Sequence, residues 1–292
     1  MTSDSIARIR RFNRAVTTET GALDSSFLGR GRPLGVARVL NAVGHGMTDV
    51  AEIRDYLGLD SGLLSRILRS LEGEGLITTA PSADDARRRV ATLTEAGAQE
   101  YQAYEDLSDA QAQNILNRHP KPQALLAAMD LVASALGRDR IDIRECDPAG
   151  EDAIYCFNLY FAELSRRFEE GYDAVKAGPP DADQMRRPKG AFFIAYSDGL
   201  PIGCVILKGY GRDWAEIKRL WVADSARGLG LAHRLMAAAE DAALSLGITT
   251  LRLDTNHRLP EAIAMYRKTG WYEIPRFNDD PYPDHFFEKK LG

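Results

Sequence analysis

Residues 222–236 read VADSARGLGLAHRLM, and the interpretation of the second half of the chain starts from this stretch. Gly228 and Gly230 lie on either side of Leu229, directly after Arg227, and the sequence then becomes apolar at helical spacing. The N-terminus of a helix presents unpaired N–H groups and a partial positive charge, and glycine leaves the space beside the backbone open. The stretch therefore predicts an anion-binding turn at the start of a helix, suited to phosphate. A glycine-rich turn without a ligand is the alternative.

The elements around this turn alternate between strands and helices. The spacing differs from the dinucleotide fingerprint GxGxxG, and no GK[ST] of a P-loop follows. The pattern predicts an α/β domain with a largely meandering sheet. The predicted strands cover residues 141–147, 191–196, 201–210, 214–222, 248–255, 271–274 and 285–291, and the predicted helices cover residues 149–168, 228–247 and 260–270.

Length and composition limit what the whole chain can be. With 292 residues, 45% of them apolar, two domains with a core each are expected. The net charge of −5 excludes a uniformly basic nucleic-acid coat, so any nucleic-acid contact has to be local. Cys146, Cys156 and Cys204 lack metal-ligand spacing, so we expect free thiols and no metal. Neither a secretory signal nor an apolar run of the ~18 residues of a membrane span is present, which predicts a cytoplasmic protein without membrane contact.

The first half of the chain is mainly helical, and residues 48–77 have the layout of a helix–turn–helix. The second helix of this pair carries apolar residues on one face and polar residues on the other, so its polar face can enter a DNA major groove. A predicted hairpin of residues 76–80 and 88–94 follows, with arginines at its tip that can reach the minor groove. The candidate DNA-binding residues are Ser61, Ser65, Arg66, Arg69, Arg87, Arg88 and Arg89. A helical hairpin with solvated arginines is the alternative.

The stretch LEGEGLITTAPSADDARRRVATLTEAG, residues 71–97, resembles the recognition-helix end and wing of the MarR family of winged-helix regulators. The resemblance covers roughly residues 5–137, and we place this domain at residues 1–138. It implies a mainly α winged helix–turn–helix that binds a double-stranded DNA operator. It also implies a homodimer built by the first and last helices of this half, because a symmetric dimer reads inverted half-sites.

The pattern Arg-x-x-Gly-x-Ala, with IKRLWV before it and EAIAMYRKTGW after it, resembles the GNAT superfamily of N-acetyltransferases. The match spans residues 141–292 and implies the GNAT acyltransferase fold, with a mixed, mostly antiparallel sheet and acetyl-coenzyme A as acetyl donor. The pyrophosphate is expected on the amides of the glycine-rich turn and the pantetheine along the end of the preceding strand. The candidate cofactor-binding residues are Leu220, Trp221, Val222, Arg227, Gly228, Leu229, Gly230, Leu231, Ala232, His233 and Asn256.

Two candidate catalytic residues follow from the chemistry of acetyl transfer to an amine, which needs a proton acceptor for the amine and a proton donor for the departing thiolate. Tyr266 matches the superfamily position that protonates the thiolate; a core tyrosine that packs the helix against the sheet is the alternative. Glu216 lies on the strand before the turn, where strand alternation predicts a common face for Glu216, Lys218, Leu220 and Val222. A salt-bridged glutamate is the alternative for Glu216.

Together these patterns favour a DNA-binding transcriptional regulator fused to an N-acetyltransferase that acts on a primary amine. A small amine or amino acid fits the acidic and aromatic C-terminal sequence better than a protein lysine does. Two alternatives remain open. In one, the acetyltransferase half senses acetyl-coenzyme A without turnover; in the other, the first half serves only for dimerisation.

Overall fold

A computed structural model describes residues 3–168, 171, 182–211 and 213–292, and its contacts divide the chain into two compact units, residues 1–122 and 123–292. The first unit is mainly helical. Its elements are α1 (Ser3–Glu19), α2 (Leu34–Gly44), α3 (Val50–Leu57), α4 (Ser61–Gly73), β1 (Ile77–Pro81), β2 (Arg89–Leu93) and α5 (Glu95–Asn117).

Helices α3 and α4 form the helix–turn–helix, and each begins at an aspartate cap. The Asp49 carboxylate accepts hydrogen bonds from the first-turn amides of α3, and Asp60 does the same for α4. Gly58 ends α3 in a left-handed conformation, which turns the chain toward α4. The apolar faces of both helices are buried in one core with α2, and β1 and β2 pair antiparallel as the wing.

The second unit is a seven-stranded sheet with helices packed against it. The sheet order is β3-β4-β5-β6-β7-β9-β8, and only the β6–β7 pair is parallel, so the sheet is mixed and mostly antiparallel, as predicted. The elements are α6 (Pro122–Leu136), β3 (Asp142–Glu145), α7 (Glu151–Arg167), β4 (Ala191–Ser197), β5 (Leu200–Gly209), β6 (Ala215–Val222), α8 (Leu231–Ser245), β7 (Thr250–Thr255), α9 (Pro260–Lys268), β8 (Tyr272–Glu273) and β9 (His285–Lys290).

Helix α6 falls almost entirely in the second unit, whereas the sequence-based boundary at residues 138–141 assigned it to the first. Its Ser134 is buried, with its hydroxyl 3.3 Å from that of Ser225 in the turn after β6. The helix therefore packs on the sheet unit, a tertiary contact that composition does not reveal.

Strand β6 contains a bulge in the part that borders a cleft in the sheet. Two residues of β6 oppose one of β5 between the pairs Cys204–Trp221 and Ile206–Lys218, and Arg219 at this point has a φ of 53°. Strands β6 and β7 pair only at residues 215–216 and 251–252, so they separate from residue 217 onward, and the bulge lies in the separated part of β6. The separated ends of β6 and β7 form the walls of the candidate site.

Candidate functional site

Two adjoining cavities occupy the cleft between β6 and β7. The larger, of about 450 Å³, extends from the end of β6 to the glycine-rich turn, and the smaller, of about 100 Å³, lies between the strands themselves. Five residues line both: Tyr160, Leu164, Leu220, Leu259 and Ala262. The larger cavity is also lined by nearly all of the candidate cofactor-binding residues: Trp221, Val222, Arg227, Gly228, Gly230, Leu231, Ala232 and His233.

The glycine-rich turn has the geometry of an anion cradle. Gly228 and Gly230 have φ values of 77° and 78°, a conformation that other residues rarely adopt. Gly230 is the N-cap of α8 and offers no side-chain acceptor, so the first-turn amides of the helix are uncapped. A Cβ atom at either glycine would meet no protein atom within 4 Å and would project into open space. The side chain of Leu229 packs on the hydrophobic core, so this residue can contribute only its backbone.

The Arg227 side chain is held by carboxylates of the protein. Its guanidinium lies 2.6 Å from Glu163 of α7 and 2.6 Å from Asp224, and its Nε donates to the Val222 carbonyl over 3.2 Å. Glu163 is only 8% exposed and also pairs with Arg167 at 2.9 Å. No motif in the sequence indicates Glu163 as a partner of Arg227, because the two residues are 64 positions apart. Arg227 therefore fixes the turn to α7, and the two carboxylates balance its charge.

Tyr266 lies at the smaller cavity and is 6% exposed. Burial, together with the nearby charge of Asp254, raises the pKa of its hydroxyl above the ordinary tyrosine value. Its ring contacts those of Trp271 and Phe287 in the core, so α9 and the sheet fix its position. The hydroxyl thus stays protonated at neutral pH and can donate a proton.

Asp254, at the end of β7, is a carboxylate of this cavity that the sequence analysis missed. It lines the cavity with Tyr266, Lys218 and Asp280. Its carboxylate accepts a hydrogen bond from the amide of Asn278 and lies 3.7 Å from the Lys218 ammonium. The available signal was the alternation of LRLD, residues 251–254, which places Asp254 on the face opposite the two leucines.

The predicted common face of Glu216, Lys218, Leu220 and Val222 is wrong. Ile217 is part of the core beneath α8 and α9, and Leu220 and Val222 pack against that same core, so these three residues share a face. Glu216 and Lys218 lie on the opposite one. The bulge inserts one extra residue between the two halves of β6, which reverses the alternation.

Glu216 is buried behind the cavity wall and has three polar partners. It is 2% exposed and accepts a hydrogen bond of 2.9 Å from the Tyr210 hydroxyl and one of 3.3 Å from Asn278. The ammonium of Lys218 lies 3.3 Å away, between Glu216 and the cavity. Burial raises the pKa of Glu216 above its ordinary value, although Lys218 opposes the shift. Direct contact with a ligand falls to Lys218 and Asp254, because they line the cavity.

Asn256, a candidate cofactor-binding residue, lines the smaller cavity instead of the larger one. Its amide donates to the Tyr282 carbonyl over 2.6 Å, and its side-chain oxygen accepts from the Arg258 amide. Asn256 therefore ties the loop before β9 to the end of β7. This loop contributes Asp280, Tyr282 and Pro283 to the cavity.

The candidate DNA-binding residues divide into an exposed helix face and a partly engaged wing. The helix face of α4 is exposed at Ser61, Ser65, Arg66 and Arg69. In the wing the Arg87 side chain is 91% exposed, although its Nε lies 3.2 Å from the Asp85 carboxylate. Arg88 pairs with Asp49 at 2.6 Å, and Arg89 donates to the Thr79 hydroxyl.

Metal sites and membrane-spanning helices are both absent from the described residues. Within them, no group of three or more His, Cys, Asp or Glu side chains is arranged to hold a metal ion. The helices they form include none long and apolar enough to cross a membrane.

Comparisons with known proteins assign a family to each unit. The sequence profile described as the acetyltransferase (GNAT) family matches residues 153–271, and that of the MarR family matches residues 30–88. The chain is 33% identical over 138 residues to the IAA acetyltransferase of Azospirillum brasilense, which is 44% of this chain and 86% of that protein. It is 31% identical over 109 residues to a streptothricin acetyltransferase of Escherichia coli, covering 37% of this chain and 60% of that protein. A solved acetyltransferase of the GNAT family from Staphylococcus aureus aligns with 52% of this chain and 99% of its own at a TM-score of 0.46 and 17% identity.

Proposed function

The chain belongs to the GNAT family of acetyltransferases and carries a MarR-family region, and from this premise we propose that it transfers an acetyl group from acetyl-coenzyme A to a primary amine and binds double-stranded DNA. The observation that carries the first part is the cavity that connects the glycine-rich turn to the side chains of Tyr266 and Asp254. The end of this cleft at the glycine-rich turn suits an anion, and the end at Tyr266 and Asp254 suits proton transfer.

Acetyl-coenzyme A fits the residues of the larger cavity. The uncapped amides at the start of α8 suit its pyrophosphate, and the space beside Gly228 and Gly230 leaves room for the phosphate oxygens. Past the bulge, Leu220 to Val222 form the cavity wall, where the pantetheine arm would lie. When bound, acetyl-coenzyme A supplies an activated acetyl thioester.

The residues of the smaller cavity suit the two proton transfers of the reaction. Tyr266 keeps its proton at neutral pH and can donate it to the leaving thiolate. Asp254 is the wall carboxylate whose charge acts on this tyrosine, and it can accept a proton from the acceptor ammonium, because the amine must be neutral before it attacks. Glu216, our candidate from the sequence, is in contact with this wall through Lys218.

A small primary amine or an amino acid is the acceptor that the cavity favours over a protein lysine. The acceptor end has a volume of about 100 Å³, and its walls combine the carboxylates of Asp254 and Asp280 with the rings of Tyr160 and Tyr282. Aromatic rings and carboxylates attract cationic groups.

The first unit is proposed to bind DNA as a homodimer. The exposed face of α4 and the wing supply cationic and hydroxyl side chains at the positions that a winged helix presents to DNA. Helix α1 leaves Ile6, Ile9, Phe12 and Val16 between 42% and 53% exposed on one stripe. Such a stripe suits burial against a second copy of the chain.

Release of thiol from acetyl-coenzyme A tests the enzymatic part of the proposal. The acceptor panel comprises amino acids, polyamines, streptothricin-type and aminoglycoside antibiotics and a lysine peptide, and Tyr266→Phe is the control. Turnover with one acceptor class, lost in the variant, would support the proposal. Tight binding of acetyl-coenzyme A without turnover on any acceptor would favour a regulator that only senses this molecule. Selection of duplexes from a random DNA library tests the DNA-binding part.

A further inference from the structure

A chain of polar side chains leads from the acceptor cavity, through the buried Glu216, to the protein surface. Lys218 begins it, with its ammonium 3.7 Å from Asp254 and 4.0 Å from Asp280 on the cavity wall. The same ammonium lies 3.3 Å from Glu216. Behind Glu216, the Tyr210 hydroxyl donates to its carboxylate over 2.9 Å, and Tyr210 is 41% exposed. From Asp254 through Lys218 and Glu216 to Tyr210, the polar atoms of each neighbouring pair of side chains lie within 4 Å of each other.

We propose that Lys218, Glu216 and Tyr210 conduct the proton of the acceptor amine from Asp254 to solvent. The inference rests on the proposed acetyl transfer. It assigns a use to the buried carboxylate of Glu216, since burying a charged group costs free energy. Without a second exit, Asp254 would remain protonated beside Tyr266 for as long as the product occupies the acceptor cavity.

The proton balance of this route closes at each step. The acceptor ammonium loses one N–H proton to the Asp254 carboxylate, and its nitrogen keeps the electron pair with which it attacks the thioester. After the attack the nitrogen loses a second proton, which replaces the one that Tyr266 gives to the leaving thiolate. Lys218 gives one proton to Glu216 and receives the one on Asp254, so Lys218 ends in the charge state in which it began. The Tyr210 hydroxyl, which donates to Glu216 at rest, then rotates toward water, and Glu216 passes its proton to the Tyr210 oxygen as the hydroxyl proton leaves to water. The contacts at 3.7 and 4.0 Å must shorten for transfer, as catalytic hydrogen bonds commonly do when a substrate binds.

The surroundings of Glu216 favour its acting as a temporary proton acceptor. Burial raises the pKa of this carboxyl group, so it holds a proton more readily than an exposed glutamate does; the charges of Asp254 and Glu216 outweigh burial and also raise the pKa of its donor, Lys218. Asn278 donates to both Glu216 and Asp254 and holds the two carboxylates at fixed positions. The charged and titratable groups that face Glu216 from the packed elements are Lys208, Tyr210, Lys218, Arg252, Asp254 and Asp280.

The chain offers a matched control for a purely structural role. Glu288 is 8% exposed, lies on the neighbouring part of the same sheet and accepts a hydrogen bond of 2.5 Å from the hydroxyl of Tyr272, which is 46% exposed. It pairs with Arg252 at 2.9 Å, and neither Glu288 nor Tyr272 lines the acceptor cavity. The Glu288–Tyr272 pair therefore matches Glu216–Tyr210 in low exposure and in the tyrosine hydrogen bond and lies outside the cavity lining, although the hydrogen bond from Tyr272 lowers the pKa of Glu288 whereas burial raises that of Glu216.

The test is the pH dependence of kcat and KM for Glu216→Gln, Tyr210→Phe, Glu288→Gln and Tyr272→Phe, measured with the best acceptor of the panel. In the unaltered chain kcat should rise with pH through the raised pKa of Glu216, because only the carboxylate accepts a proton. Glu216→Gln should remove this limb and lower the plateau of kcat about 10-fold or more, at an unchanged KM. Tyr210→Phe, which keeps the ring stacked on Trp214, should give a smaller loss of kcat in the same direction.

Two outcomes would overturn the route: a Glu216→Gln profile equal to that of the unaltered chain, or an equal loss in Glu288→Gln. If Glu216→Gln does not fold, the proposal is tested by comparing Tyr210→Phe with Tyr272→Phe. Equal profiles of kcat against pH for these two variants would contradict the proposal. Absence of turnover by the unaltered chain on every acceptor would instead contradict the proposed acetyl transfer, and the proton route with it.

Discussion

The guanidinium of Arg88 lies 2.6 Å from the carboxylate of Asp49, and that same carboxylate caps α3 through the amides of Ala51 and Glu52. The wing and the first helix of the helix–turn–helix are thereby joined by one ionic contact. These hydrogen bonds, chiefly the one from the Glu52 amide, hold the pKa of Asp49 below its ordinary value. Arg88 thus has a structural partner, whereas Arg87 next to it is 91% exposed.

Replacing these two arginines should separate DNA contact from stability. Arg87→Ala should weaken binding to duplex DNA and reduce the slope of log affinity against log salt by about 1, because one phosphate contact is lost. Its thermal unfolding midpoint should stay unchanged. Arg88→Ala, in contrast, should lower the thermal unfolding midpoint in addition to weakening DNA binding, because it leaves the buried Asp49 without its ionic partner. Fluorescence anisotropy at several salt concentrations and thermal unfolding measure both. Equal midpoints for the two variants would show that the Asp49 contact has no structural weight.

Tyr266→Phe should lower kcat by about 10²-fold or more, because it removes a proton donor and keeps the ring in its core position. The affinity for coenzyme A, measured by calorimetry, should stay the same. Unaltered turnover would show that another group protonates the leaving thiolate. A loss of coenzyme A binding would instead indicate that the hydroxyl supports the shape of the cleft.

Gly230→Ala should weaken the binding of coenzyme A, since a side chain at φ 78° strains the turn and projects into the space that the phosphates need. The strain itself costs about 1–2 kcal/mol in the free energy of unfolding. Gly247→Ala is the matched control, because Gly247 has a φ of 77°, has the same open space and lies after the other end of α8. Both variants should lose similar stability, and only Gly230→Ala should lose affinity. Equal affinity losses would contradict the anion-cradle assignment.

Glu100 should contribute to the pH dependence of stability in the first unit. The hydrogen bond from Arg30, with a further contribution from Arg32, lowers the pKa of Glu100 in the folded state. A carboxyl group with a lowered folded pKa contributes stability above its unfolded pKa, and this contribution is lost as the pH falls through the folded value. Glu100→Gln should therefore cost about 2 kcal/mol at neutral pH and flatten the acid limb of the stability curve.

Urea unfolding followed by far-ultraviolet circular dichroism at several pH values measures this effect. Asp109→Asn, at an exposed position on the same helix, is the control. An acid limb that is unchanged in Glu100→Gln would show that other carboxylates carry the pH dependence.

The sequence was sufficient for the fold but less so for the site. Periodicity and motif order predicted a winged helix followed by a mixed sheet, and both are confirmed. These features are local, since caps, glycine stops and alternation act over a few residues. The glycine-rich turn was predictable for the same reason: Gly228 and Gly230 have the positive φ values for which glycine is suited.

The roles of charged side chains were harder to predict because their partners are far apart in the sequence. Arg227 meets Glu163 across 64 positions, and Arg88 meets Asp49 across 39. The predicted common face of Glu216 with Leu220 and Val222 was wrong for another reason. A bulge carries no motif, so an alternating pattern was extended through Arg219, where the backbone interrupts it.

The bulge also makes the number of residues in β6 a requirement in its own right. The first half of the strand supplies the core with Ile217 and turns Glu216 away from it, whereas the second half supplies the core with Leu220 and Val222. Removing one residue between these halves would move Leu220 and Val222 to the face opposite Ile217, so these apolar side chains would leave the core even though the composition of the strand is nearly unchanged. In any redesign or alignment of this strand, length must therefore be conserved as strictly as polarity.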